Sequence, residues 1–253
     1  MKKIAAFFDI DGTLYREGFI SDLFRMLVKC EVIPYETWYD EVRPEFNNWD
    51  RRMGTYDTYL IKMSSMYTQA ITGHHRSLVQ HIVSRVIEDK ALRTYVYTRK
   101  RIAWHKKQGH LVFTVSGSPY ELVGAMAKFY KLDDFRGSRY LEDRHHRYTG
   151  EIEPMWTADA KRQAVYELAE SYDVDLSNSW SYGDTAADIS MFELTGYPNL
   201  INPTRELIEL IRQDEQLMKR TLCIVERKDA IYRMNLKEVE LLDESEDFED
   251  EYY

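Results

Sequence analysis

The chain has 253 residues, 44% of them apolar and 30% charged, with a formal net charge of −9 and a pI near 5.4. This is the composition of a soluble globular protein with one large core, or a core carrying a smaller domain. Nine acids and no base fall within residues 238–253, so the remainder is closer to neutral and lacks the basic footprint of a nucleic-acid binder.

The N-terminal stretch Met1–Asp9 starts like a secretory leader, but its apolar part stops after five residues at an acid, too short for such a leader. No stretch has membrane-spanning length. The expectation is a cytoplasmic protein without membrane or nucleic-acid partners, a monomer or homodimer, with Cys30 and Cys223 as reduced packing thiols. Ile4–Ile10 is a short apolar run ending in Asp-Gly, without polar alternation over Ile4–Phe8, as in a strand buried on both faces of a parallel sheet. Residues 18–87 then read as helices: Asp22–Val32 capped by Ser21, Tyr35–Phe46 opened by Pro34, Tyr56–Ala70 and Arg76–Ile87. A long helix over Lys90–Lys107 returns to the sheet. Leu111–Val115 is a second buried strand, Ser179–Tyr182 a third and Pro198–Ile201 a fourth. Each precedes a helix: Tyr120–Tyr130, Thr185–Leu194 and Thr204–Gln213. Tyr140–Glu142 and Tyr148–Ile152 are further strand candidates. The alternation predicts an α/β fold, a Rossmann-like parallel sheet with an inserted α-helical cap. The core is expected over 1–16 plus 90–235, the cap over 17–89, and a disordered acidic tail over 243–253.

Chemistry-bearing residues sit at the strand tips. Asp9 and Asp11 lie two apart on an extended chain and so project to one side, at the end of a parallel sheet where ligands bind. Gly12 permits a tight turn. In Ser116-Gly117-Ser118-Pro119-Tyr120-Glu121, Ser118 and Glu121 fit a capping box, which leaves Ser116 unexplained and well placed for a phosphate oxygen. Thr185 and Asp188 fit another box, which leaves Asp184 as a third carboxylate for a hard divalent cation. Lys161 is either an exposed helix lysine or the cation that neutralises the site. His74-His75 and His145-His146 lack partners at metal-site spacing and read as solvated.

The order Asp-x-Asp-Gly-Thr, strand-tip Ser, Lys, Gly-Asp-x-x-x-Asp resembles the haloacid dehalogenase superfamily over about Lys3 to Pro203. The helical block between the first two motifs resembles subfamily IB, which includes the phosphoserine phosphatases. His105–His110, Tyr148-Thr149-Gly150, Tyr182–Thr185 and Asn202-Pro203 resemble a bacterial branch of it. The resemblance implies a magnesium-dependent phosphatase acting on a small phosphorylated metabolite. Asp9 would be the nucleophile, Asp11 the acid and base, and Asp9, the Asp11 main-chain carbonyl and Asp184 the Mg2+ ligands. Ser116 and Lys161 would hold the phosphoryl group, with Gly12, Thr13 and Gly117 around it, Glu17 at the substrate, and Asp188 supporting the metal or Lys161. Two positions depart from the pattern: Gly18 stands where phosphoserine phosphatases carry a glutamate, and Ala158 replaces a glycine. Arg16, Glu17, Phe19, Trp38, Arg51, Arg52 and Met53 are the cap residues expected near the substrate. A phosphotransferase or mutase, or a non-catalytic binding protein on the same fold, are the alternatives.

Overall fold

The structure, a computed structural model, describes residues 2–16 and 18–242. Glu17 and the acidic tail therefore lie outside the described residues. Among the described residues, eight strands form one sheet in the order β4-β3-β2-β1-β5-β6-β7-β8. They are β1 (Ala5–Phe8), β2 (Leu111–Pro119), β3 (Asp134–Glu142), β4 (Tyr148–Glu153), β5 (Trp180–Gly183), β6 (Tyr197–Ile201), β7 (Leu222–Arg227) and β8 (Ala230–Met234). Neighbours pair in parallel from β3 to β7, while β4 and β8 close the two edges antiparallel.

All four residues of β1 are buried, for the reason its unbroken apolar run suggests. Ala5 and Phe7 pack with Phe113 and Val115 against Ala164, Val165 and Leu168 of helix α7 (Ala158–Tyr172). Ala6 and Phe8 face the other way, into a larger cluster containing Leu23, Phe24, Tyr59, Met63 and Val83. Those side chains come from helices α1 (Phe19–Lys29), α3 (Tyr56–Ile71) and α4 (Arg76–Lys90). The helical block and this face of the sheet thus share one apolar cluster.

Several local expectations are corrected. Helix α1 starts at Phe19 after Gly18 and has no side-chain cap; the Ser21 hydroxyl is buried and accepts a bond from the Tyr59 hydroxyl at 3.0 Å. Tyr35–Phe46 is a π-helical stretch (Thr37–Val42) running into helix α2 (Arg43–Asp50). The long helix over 90–107 is two: α4 ends at Lys90 and α5 spans Val96–Lys107. Between them the chain extends so that Thr94 pairs with Tyr15 and the Tyr95 N–H bonds the Leu14 carbonyl at 3.0 Å. A tertiary pairing here overrides helical propensity. The hairpin of β7 and β8 was not foreseen. Helices α6 (Tyr120–Phe129), α8 (Ile189–Leu194), α9 (Arg205–Gln213) and α10 (Glu215–Arg220), with short 3-10 turns over Leu176–Asn178 and Ala186–Asp188, complete the described helices. None of its helices is long and apolar enough to cross a membrane. Both cysteines are free thiols.

Behind the site, Phe8 stacks on Tyr182 with ring centres 4.1 Å apart. The Tyr182 hydroxyl accepts from Arg101 Nε at 2.9 Å and lies 2.8 Å from His105 Nε2. Burial, with Arg101 and His110 nearby, pushes His105 down to about 3. Neutral His105 and the Tyr182 hydroxyl share a hydrogen bond, and with Arg101 it ties the tip of β5, on which Phe8 of β1 stacks, to α5.

Candidate active site

Four carboxylates and one lysine converge at the carboxyl ends of β1, β2 and β5. Asp9 follows β1 directly, and its N–H bonds the Tyr182 carbonyl at 3.0 Å, pinning it against β5. Its Oδ1 accepts from Lys161 Nζ at 2.9 Å. Lys161 lies in the first turn of α7, whose N-cap Thr157 accepts the Ala160 N–H. At 3% exposure it is a buried cation, not the exposed helix lysine of the alternative reading. Its second bond, at 2.6 Å, goes to Asp188 Oδ1. Asp188 Oδ2 accepts the N–H groups of Asp184 and Thr185 at 3.0 and 3.1 Å, so Asp188 reaches back to Thr185 as the box pattern requires and carries Lys161 as well.

Asp11 is held differently. Oδ1 accepts the Phe19 N–H at the start of α1, and Oδ2 accepts the hydroxyls of Ser118 at 2.7 Å and Ser116 at 3.3 Å. The regular register of β2 with β3 shifts between Val115 and Pro119. Such irregularities re-aim side chains beside active sites, and this one turns both serines towards Asp11. Ser118 therefore does not cap a helix: α6 has no side-chain cap, and Glu121 accepts the Tyr148 hydroxyl instead. Ser118 is the site residue that sequence reasoning missed, because a local capping pattern accounted for it. Gly117 lies against Trp156, where a Cβ would come within 2.9 Å of the tryptophan Cβ.

Thr13 is fully buried and donates to Asp184 Oδ1 at 2.8 Å. Gly12, at φ +74°, lies beneath the other oxygen: a Cβ there would stand 2.0 Å from Asp184 Oδ2. Gly12→Ala is expected to displace Asp184 and to strain a left-handed residue by about 1–2 kcal/mol. A thermal melt should show this as a lowered Tm, together with loss of any stabilisation by added magnesium.

The other expected cap residues scatter. Phe19 is buried on Tyr15, and only its N–H reaches Asp11. Arg16 sits over the Tyr95 ring, and Trp38 packs among Phe24 and Phe46. Arg51, Arg52 and Met53 are exposed beyond α2. His75 and His146 face each other, but their Nδ1 atoms contact Ser77 and Glu142, which is no metal site.

The electrostatics follow from gathering four acids, Asp9 and Asp188 buried and Asp11 and Asp184 half-buried, around one base. Burial raises the Asp9 carboxyl to about 7; Lys161 pulls against this, and Asp188 and Asp11 add to it. Asp184 is raised well above the usual range by burial and by Asp9 and Asp188. Asp11 is raised by burial against its three hydrogen bonds. Burial disfavours the charge on Lys161, but Asp188 and Asp9 outweigh it and hold the ammonium. A divalent cation would relieve the remaining repulsion, and the donors fit one. Oxygens of Asp9, Asp184 and Asp188 lie within 4.8 Å of one another. Asp188 is already committed to Lys161 and two N–H groups, which leaves Oδ2 of Asp9 and of Asp184 without a hydrogen bond from the described residues.

A family model for haloacid dehalogenase-like hydrolases matches residues 6–193, the stretch that holds every residue above. The chain belongs to this hydrolase family. A relative named as a probable phosphatase, from Mycobacterium tuberculosis, is 29% identical over 147 residues, 58% of this chain and 51% of the relative. The chain thus spans about half the length of that relative. Among solved structures, a Bordetella pertussis protein of unknown function superposes with a TM-score of 0.67 at 18% identity, over 84% of this chain and 96% of that one. A phosphoserine phosphatase, solved as a phospho-aspartyl intermediate analogue, gives a TM-score of 0.54 at 20% identity, over 85% and 100%. These two likenesses are of fold. Within it, the described residues of this chain form an eight-stranded, mostly parallel α/β sheet.

Proposed function

We propose that this chain is a magnesium-dependent phosphomonoesterase that works through an aspartyl-phosphate on Asp9. One observation carries the reading: two carboxylates two residues apart are both raised by burial but keep different partners. Asp9 is paired with a buried ammonium, while Asp11 has no cation in hydrogen-bond contact among the described residues and is held by two hydroxyls and an N–H. Such a pair divides naturally into nucleophile and acid.

In the first step an Asp9 oxygen attacks phosphorus, and the bond to the ester oxygen breaks. The leaving alkoxide takes the Asp11 proton and departs as the alcohol. In the second step Asp11, now a carboxylate, takes a proton from water as the water attacks phosphorus, which frees phosphate and restores Asp9. Splitting the displacement in two lowers each barrier. Lys161 neutralises Asp9 and the incoming phosphoryl oxygens, and Ser116 and Ser118 steer the Asp11 carboxyl. Mg2+ would be held by Asp9, Asp184 and the Asp11 main-chain carbonyl, and when bound it supplies charge neutralisation and in-line alignment. Residues 17–89 serve as a cap over a core of 1–16 and 90–235, excluding water from the site. The substrate is a small phosphorylated metabolite in the cytoplasm.

The direct test is hydrolysis of p-nitrophenyl phosphate and a panel of phosphorylated metabolites, with magnesium and with EDTA; turnover unaffected by EDTA would sink the metal requirement. Linkage gives a second check. Acids whose folded-state pKa is raised bind protons more readily when folded, so the metal-free protein loses their contribution as pH rises from about 4 to about 7. Magnesium binds the deprotonated carboxylates. The Tm increase on adding magnesium should therefore grow across that window and level off above about pH 7. An increase independent of pH would contradict the ligand set.

A further inference from the structure

A cavity of about 290 Å3 opens among helices α1, α2 and α3, near the lower end of the roughly 300–1,000 Å3 typical of small-molecule sites. The link to the site is one residue long: Gly18 lines the cavity and precedes Phe19, whose N–H holds Asp11. Phe46, Trp49 and Tyr59 form an aromatic wall, with Trp49 and Tyr59 stacked at 5.8 Å and 6°. Arg25 and Arg93 supply two guanidinium groups at its edge.

Arg25 is placed by its surroundings. It lies over the rings of Trp38 and Phe46, at 5.6 and 5.8 Å. Its nearest acid is Asp22, at 3.7 Å, beyond hydrogen-bond length, and Asp22 already accepts the Tyr15 hydroxyl at 2.5 Å. Arg25 forms no hydrogen bond with a described residue. A guanidinium fixed on aromatic faces, with its N–H fork unspent, is suited to bidentate recognition of an oxyanion. Asp50 also lines the cavity, but it is exposed. Gly18 presents only backbone to the cavity.

We infer that this cavity receives the leaving group of the phosphomonoester, and that this group is an apolar-bodied acid whose own oxyanion is bound by Arg25. The inference rests on the hydrolase reading above. Its carbon skeleton lies against Phe46, Trp49 and Tyr59, and the oxyanion is a carboxylate or a second phosphate.

The test compares kcat/KM for phenyl phosphate, 4-carboxyphenyl phosphate and 1,4-phenylene bisphosphate, with magnesium, in the wild type and in Arg25→Gln. The wild type should favour at least one anionic ester over phenyl phosphate by about tenfold or more, and Arg25→Gln should remove most of that ratio, chiefly through KM. Which anionic ester is favoured identifies carboxylate or phosphate. A purely structural loss lowers all three rates together and leaves the ratio intact. A wild-type ratio near one, or a ratio that Arg25→Gln changes by less than about twofold, overturns the inference while the hydrolase reading stands. If no ester is turned over, the hydrolase reading fails, and calorimetry of 4-hydroxybenzoate against phenol decides the cavity. Tighter binding of the acid that Arg25→Gln abolishes upholds the oxyanion site; equal binding overturns it.

Discussion

Asp9→Asn is expected to lower kcat for p-nitrophenyl phosphate by about 10^4-fold or more, the scale of losing a covalent nucleophile. Asparagine preserves the size and one oxygen that can accept from Lys161. The fold should therefore survive, with a Tm within a few degrees of wild type. What is lost is the anionic oxygen facing phosphorus and one charge from the group of Asp9, Asp184 and Asp188. Substrate binding should change far less than turnover, because Lys161, Ser116 and the cavity remain. Kinetics compared with circular dichroism melts separate the two effects; equal rates in both proteins would remove Asp9 from the mechanism.

The second large effect is Lys161→Met. The methionine fills most of the lysine's volume but leaves Asp9 and Asp188 without the ammonium that bridges them at 2.9 and 2.6 Å. Breaking a buried ion pair by removing one partner costs about 3–5 kcal/mol, which for a chain of this size lowers Tm by roughly 10 °C. The deficit depends on pH. A protonated carboxyl needs no counter-charge, and Asp9 is already raised to about 7 with Lys161 present; without the lysine it rises further. The loss should be greatest above pH 7 and shrink as the solution is acidified. Turnover should also fall by about 10^2-fold or more, since a preorganised charge at the transferring phosphoryl group is gone. A melt that differs from wild type by the same amount at pH 5 and pH 8 would contradict this account of the lysine.

Much of this site was legible before any coordinates, for a physical reason. Parallel strands buried on both faces appear as unbroken apolar runs, and the polar residue that ends each run stands at the edge where ligands bind. Asp9, Ser116 and Asp184 were found that way, and the box linking Thr185 and Asp188 is visible from spacing alone. Lys161 was ambiguous because helical position does not reveal burial. Ser118 escaped because a capping pattern explained it locally, whereas a register shift in β2 gives it to Asp11. The wall of the cavity is less legible. Arg51, Arg52 and Met53 are expected near the substrate from the sequence, while Arg25, Phe46, Trp49 and Tyr59 line the cavity. How helices α1, α2 and α3 rotate against one another is decided by side-chain packing among Phe24, Trp38, Phe46 and Tyr59, which periodicity does not encode. Gly18 acquired a meaning beyond a missing glutamate: it borders the space left for the leaving group.

The central claim is that phosphate passes through Asp9. Acid-quenching the enzyme during turnover of p-nitrophenyl phosphate with magnesium, reducing with borohydride and mapping the peptides tests it most directly, since borohydride converts an aspartyl-phosphate to homoserine. The account predicts homoserine at position 9 and none in the Asp9→Asn protein. Homoserine at Asp11 or Asp184 instead, or at position 9 without added phosphoester, would contradict it.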